Sequence, residues 1–206
     1  MRARWKLVGS VVLAFAVVVT ACSVLFFNGY GPLALADRRS RLSPGAAKVR
    51  IDHALRTTMG AVSPSLAFAG AYFEVRRERD RWDGEPSMVS AVTEVVVGRT
   101  AVASTRLPAL MDQVTQAWQG LGSTVVHRSN PSDEIQSLHG VGEAGGETFL
   151  LFLAAAQPDS TYRVKFLVEA YGVLYQPAHE YEPVSPLART SLAAMGDPVD
   201  DPYWSH

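Results

Sequence analysis

From Leu7 to Phe27 the chain reads LVGSVVLAFAVVVTACSVLFF, 21 residues without a charge, directly behind Arg2, Arg4 and Lys6. At about 1.5 Å per residue such a helix covers a hydrocarbon layer of about 30 Å, so this segment constrains everything downstream of it. Trp5 stands at one end and Phe26, Phe27 and Tyr30 at the other, where amphipathic rings favour the headgroup layer. A cleaved secretory signal fits less well, because its apolar core is normally about 7 to 15 residues and no small-x-small site follows this run. A lipoprotein reading stays open. Val19-Thr20-Ala21-Cys22 matches the pattern at which a bacterial lipoprotein is cut and its cysteine lipidated, although the residues behind Cys22 are apolar where such a tether turns polar. Both readings hold the following domain at a lipid bilayer, the first expected partner. Arg38, Arg39 and Arg41 follow the run, but the short basic stretch 1–6 ahead of it favours a cytoplasmic N-terminus and an extracytoplasmic C-terminal domain.

A chain of 206 residues has room for one folded domain with appendages. Nineteen Lys and Arg against 20 Asp and Glu leave a net charge of −1, so there is no positive excess to hold phosphates and no nucleic-acid partner is expected. The single cysteine excludes an internal disulfide and a zinc site built on several thiolates.

Residues 28–43 mix Gly, Pro and charge without a period and read as a linker between the anchor (7–27) and a domain over 44–175. Ser43-Pro44 is a helix-start signal, and Ala47, Ile51, Ala54, Leu55 and Thr58 behind it fall at helical spacing, predicting a helix that ends near Gly60. The period then changes to two. Ala71, Phe73 and Val75 alternate with Tyr72, Glu74 and Arg76, a polar stretch from Arg77 to Pro86 follows, and a second alternating run extends from Met88 to Val97, predicting a hairpin with a long tip. A second helix is marked by Leu107, Leu110, Met111, Val114, Ala117, Trp118 and Leu121 at steps of three and four, with a cap region at Ser104-Thr105 and stops at Gly120 and Gly122.

Four further strands are expected at Thr124–Arg128, Ile135–Val141, Thr148–Ala155 and Thr161–Tyr171. In the last, Tyr162, Val164, Phe166, Val168 and Ala170 point one way and Arg163, Lys165 and Glu169 the other, predicting one dry and one wet face. Gln157-Pro158-Asp159-Ser160 is too short for the crossover that parallel strands need. The expected fold is therefore α+β, a two-layer domain with two helices on one face of a mainly antiparallel sheet in the order αββαβββ(β). Residues 176–206 carry prolines and acidic residues without a period and read as a mostly disordered tail, in which Tyr203-Trp204 is an exposed aromatic pair.

The anchor or lipoprotein signal, the first helix, the hairpin, the Leu-rich helix of RLPALMDQVTQAWQGLG and the closing strands together resemble an uncharacterised group of exported, membrane-tethered small domains of high-GC Gram-positive bacteria. The resemblance covers Ala46 to Tyr175 and is carried by element order and by Thr105–Val126. Many members of that group have a cysteine pair in the folded domain, which this chain lacks. The resemblance implies no activity and no site residues.

Gly140-Val141-Gly142-Glu143-Ala144-Gly145 satisfies GxGxxG, but a strand rather than a helix follows, so no helix N-terminus stands behind the glycines and a hairpin turn is expected. The five histidines show no paired spacing for a metal, and no serine lies in a nucleophile elbow. His139 with Glu134 or Glu143, and His127 with Asp133, are the acid/base pairs that sequence proximity allows. In RRERDRWDGE, from Arg76 to Glu85, four arginines balance four acids, and Trp82 beside Arg79 and Arg81 has the composition of an interface centre. No cofactor, metal or catalytic set is expected. The reading is a membrane-anchored extracytoplasmic binding or scaffold domain facing an unidentified envelope protein. Its alternatives are an envelope hydrolase or ligand-modifying enzyme using His127 and His139, and an accessory subunit whose apolar span packs in a larger membrane complex.

Overall fold

The computed structural model describes residues 41–79, 84–129, 134–142, 148–189 and 196–206. The apolar run Leu7–Phe27 with Cys22, most of the linker, and Arg81 and Trp82 at the hairpin tip lie outside the described residues. Among the described residues no helix is long and apolar enough to cross a membrane.

Helix α1 spans Pro44–Ala61 and starts as the sequence dictates: the Ser43 hydroxyl accepts the Ala46 N–H at 3.2 Å, and Pro44 occupies the first turn where no amide is needed. Its buried face is Ala47, Ile51, Ala54, Leu55 and Thr58. Helix α2 spans Leu107–Gly120 and buries Leu107, Leu110, Met111, Val114 and Trp118. Its start differs from expectation. Arg106 is the N-cap, no side chain caps it, and the preceding turn is closed by Arg106 N–H to Ala103 C=O at 2.9 Å instead of by Ser104 or Thr105.

Both helices pack on one antiparallel sheet, so the fold is α+β. Strands β1 (Phe68–Arg79) and β2 (Pro86–Gly98) form the long hairpin; β3 (Val102–Ala103) is a two-residue strand beside β7 that the sequence pattern does not reveal. Strands β4 (Ser123–Ser129), β5 (Ile135–Gly142), β6 (Thr148–Ala156) and β7 (Thr161–Leu174) follow α2. The order across the sheet is β1-β2-β7-β6-β5-β4, which places the last strand in the middle, paired with β2 on one side and β6 on the other. Val164, Phe166, Val168 and Ala170 of β7 and Leu150, Phe152 and Ala154 of β6 point toward the helices and form the centre of the core.

Gly140 sits on β5 directly under Trp118. A Cβ built there would lie 3.0 Å from Trp118 Cε3 and 3.2 Å from Leu150 Cβ, so the glycine makes room for the indole. Gly140→Ala is expected to cost about 1 to 3 kcal/mol by overpacking, read as a lower urea midpoint at unchanged slope.

The expected disordered tail requires correction. Tyr181, Val184 and Trp204 are fully or almost fully buried. The Tyr181 ring stacks on Phe73 at 4.9 Å, and the Trp204 Nε1–H donates to Pro64 C=O at 2.8 Å. Ala71 N–H donates to Ala188 C=O at 3.0 Å along the outer edge of β1, and Thr100 bridges to Val199. These apolar residues stand singly between prolines, so they give no helical or strand period, yet each caps a gap at the margin of the core.

Candidate binding face

The sheet has a second face, and it is not wet. Because side chains alternate along a strand, the positions between the core residues point away from both helices. The register aligns Tyr72 with Val95 and Val95 with Leu167; Leu167 lies beside Leu151, Leu151 beside His139, and His139 beside Val126. This middle row crosses all six strands of the main path and carries no formal charge other than that available to His139. Two flanking rows extend it. On one side lie Val97, Lys165, Leu153, Ser137 and Arg128; on the other, Glu74, Thr93, Glu169, Phe149 and Val141. Val95 and Val97 on β2 are each 2% exposed, so the accessible stretch of the face begins at β7: Val126 and Val141 are each 48% exposed, and Phe149, Leu151, Leu153 and Leu167 are half-buried with neither helix above them.

The expectation of a wet face came from β7, whose charges Arg163, Lys165 and Glu169 alternate with core residues. Leu167 interrupts that set. The stronger signal is β6, where Phe149-Leu150-Leu151-Phe152-Leu153 is apolar at both phases, the mark of a strand covered on both sides. Scattered single apolar residues on a surface need no explanation, but a continuous apolar stripe marks an interaction site.

His139 lies within this stripe. Its Nε2 is 3.0 Å from Ser137 Oγ and its ring packs edge-on against Phe149 at 5.7 Å. Burial holds its pKa below the ordinary imidazole value, and the Arg128 guanidinium pushes the same way. Both causes favour the neutral ring, which is compatible with its apolar neighbours. Glu169 on the same face accepts from Arg76 Nη2 at 3.3 Å and from the Tyr171 hydroxyl.

The two histidines do not converge. His127 pairs with Leu138, a core residue, and so points to the helix side; His139 pairs with Val126 and points to the other. His127 Nε2 lies 2.8 Å from Gln136 Oε1, in an open cleft of about 340 Å³ whose opposite wall includes Asp112 and Thr115 on α2. An amide oxygen orients an imidazole but does not stabilise its cation as a carboxylate does. Of the expected partners, Asp133 and Glu143 lie outside the described residues, and Glu134, one residue ahead of β5, is exposed, with its C=O accepting the Ala156 N–H at 2.8 Å. Arg79 is at the exposed end of β1, where its Nη1 donates to Gly84 C=O at 2.9 Å. The GxGxxG segment leads from β5 into β6, antiparallel neighbours, so strand follows strand as expected of a hairpin. Among the described residues no group of three His, Cys, Asp or Glu side chains is placed to hold a metal ion.

One group on the helix side was not anticipated. Glu94 of β2 is 0% exposed, and its Oε1 accepts the Val184 N–H at 2.6 Å, while Oε2 has no partner among the described residues. Burial pushes this carboxyl up to about 7; Asp52 adds to the rise, and the Val184 N–H, Lys48 and Arg56 oppose it. A lone acid inside VTEVVV at a core-facing phase is the trace it leaves in the sequence. It holds the C-terminal segment through the Val184 N–H.

No protein-family model matches the chain, and comparison with curated proteins finds no match.

Proposed function

We propose that this chain is a single-pass, membrane-anchored extracytoplasmic domain that binds or scaffolds a protein partner without catalysing a reaction. The carrying observation is the apolar row from Leu167 through Leu151 and His139 to Val126 on the sheet face away from the helices. The membrane location rests on the charge-free run Leu7–Phe27, and the outward orientation on the basic residues ahead of it. Aliphatic side chains held on a rigid sheet supply contact area with little ordering cost, which suits recognition better than chemistry. The segment with Arg79, Arg81 and Trp82 has the composition of a second, smaller contact of the Trp-and-Arg type.

The test is photocrosslinking in intact cells with a photoreactive residue at position 151, in the middle of the row, and at position 56 on the exposed side of α1. Protein adducts are expected from 151 and not from 56. A probe at 151 that reacts only with water removes the support for a binding face. Loss of function on His127→Ala in a cell that still forms those adducts would instead favour the enzyme reading.

A further inference from the structure

We propose that the segment 177–189 is a pH-gated latch on the outer edge of β1, closed while Glu94 is protonated and lifted when that carboxyl ionises. It involves none of the residues of the binding face. Glu94 stands at the core phase of β2, 0% exposed, beside Phe73 of β1 and Val168 of β7 in the register. Its Oε1 accepts the Val184 N–H at 2.6 Å, and its Oε2 has no partner among the described residues. A carboxyl so placed is tolerated neutral, with its proton on Oε2. As an anion it puts a charge in a dry site with one hydrogen bond, and the cost is relieved only when water reaches it.

Water enters where the cover is weakest. Strands β1 and β7 flank Glu94 through hydrogen-bonded ladders, and α1 is anchored by five buried residues. Segment 177–189 has no ladder. Beyond the Val184 N–H it is fixed by one bond to the sheet, Ala71 N–H to Ala188 C=O at 3.0 Å, by the Tyr181 ring on Phe73 and by the burial of Val184. Arg189 ties the segment to itself, Nη1 donating to His179 C=O and Nη2 to Tyr181 C=O, both at 2.8 Å, so it moves as one piece. Its flanks stay attached, through Tyr175 N–H to Met88 C=O at 2.9 Å and Val199 N–H to Arg99 C=O at 2.8 Å. Lifting it uncovers the Phe73 ring and the Ala71 N–H, which turns a covered edge into a strand ready to pair.

The charges that act on Glu94 come from α1. Asp52 opposes its ionisation, while Lys48 and Arg56, which lie 2.6 and 3.7 Å from the Asp52 carboxylate, favour it. The neighbours on β1 and β7, Phe73 and Val168, carry no charge. From the segment comes the buried Tyr181 phenol, whose pKa burial raises; His179, Glu180 and Glu182 are exposed. Burial outweighs the favourable charges and holds the closed-form carboxyl at about 7, against 4.5 once the segment lifts and water enters. Below pH 4.5 both forms are protonated and the latch is tightest. Between 4.5 and 7 only the open form has lost its proton, so opening gains as pH rises, and above 7 the gain levels off.

The experiment follows amide hydrogen exchange of the full chain in detergent micelles from pH 5 to pH 8, with the intrinsic exchange rate divided out. Opening of segment 177–189 and of the β1 edge at Ala71 is expected to rise about 70-fold over that range. Low urea should leave it unchanged, because little surface is exposed, whereas the β6 amides stay protected and respond to urea. Glu94→Gln keeps the acceptor for the Val184 N–H and is expected to abolish the rise. Asp52→Asn removes a charge that opposes ionisation and is expected to reduce it. A segment that exchanges only in step with β6 opens by global unfolding alone and overturns the proposal. So does a rise that persists in Glu94→Gln, which would assign the titration to His179. Should that variant fail to fold, the wild-type profile decides: opening that is flat from pH 5 to pH 8 refutes the latch.

Discussion

Trp118→Ala is expected to lower the unfolding free energy of the domain by about 3 to 5 kcal/mol. The indole is 1% exposed, at the junction of α2, α1 and β5. Its Nε1–H donates to Thr58 Oγ1 at 2.8 Å, and that hydroxyl donates in turn to Ala54 C=O at 2.7 Å, so the ring joins the two helices through a hydrogen-bonded relay. Truncation loses the apolar burial and leaves a cavity lined by Gly140, which has no side chain to relax into it. For a domain of this size the loss corresponds to roughly 6 to 20 °C in melting temperature. Trp118→Phe separates the contributions: it retains most of the packing and removes the donor, with an expected cost of about 1 to 2 kcal/mol beyond the volume change. A calorimetric scan of both variants checks this, and an unchanged midpoint for Trp118→Ala would place the ring outside the core.

The second large effect is a dependence of stability on pH set by Glu94. Its folded pKa of about 7 lies above the ordinary value of 4.5. Below that ordinary value the carboxyl is protonated in both states, and the folded form is at its full stability. Between pH 4.5 and 7 the folded state keeps a proton that the unfolded state has released, so stability falls as pH rises, by about 3 kcal/mol over the window. Glu94→Gln keeps the acceptor for the Val184 N–H and cannot ionise. The stability gap between variant and wild type is therefore expected to open by about 3 kcal/mol in favour of the variant from pH 4 to pH 8. Because every other titrating group is common to both chains, the difference isolates this carboxyl. Urea denaturation at several pH values measures it, and a constant gap would show that Glu94 is solvated.

Both helices were legible because their apolar residues recur at helical spacing and their ends carry Ser43-Pro44 and Gly122. The antiparallel order of β6 and β7 was legible from a turn too short to cross over. The open face was hidden by the choice of strand: β7 advertises alternation, while β6 shows apolar residues at both phases. Which face His127 and His139 occupy depends on the β4–β5 register, in which His127 meets Leu138, and sequence spacing does not fix it. Tyr181, Val184 and Trp204 were hidden for a different reason. Each fills one recess separately, and isolated contacts leave no period to detect.

The position of β7 between β2 and β6 also dictates a timetable. The β1–β2 hairpin and the β4–β5–β6 meander each form from neighbouring segments, but they share no border until β7 arrives and joins them. Such long-range closure makes assembly slow. During synthesis, the valine-rich rim of β2 waits with unpaired amides, open to capture by another strand. The vulnerable moment in the life of this protein is thus the interval before its last long strand emerges, and a holding chaperone would act there.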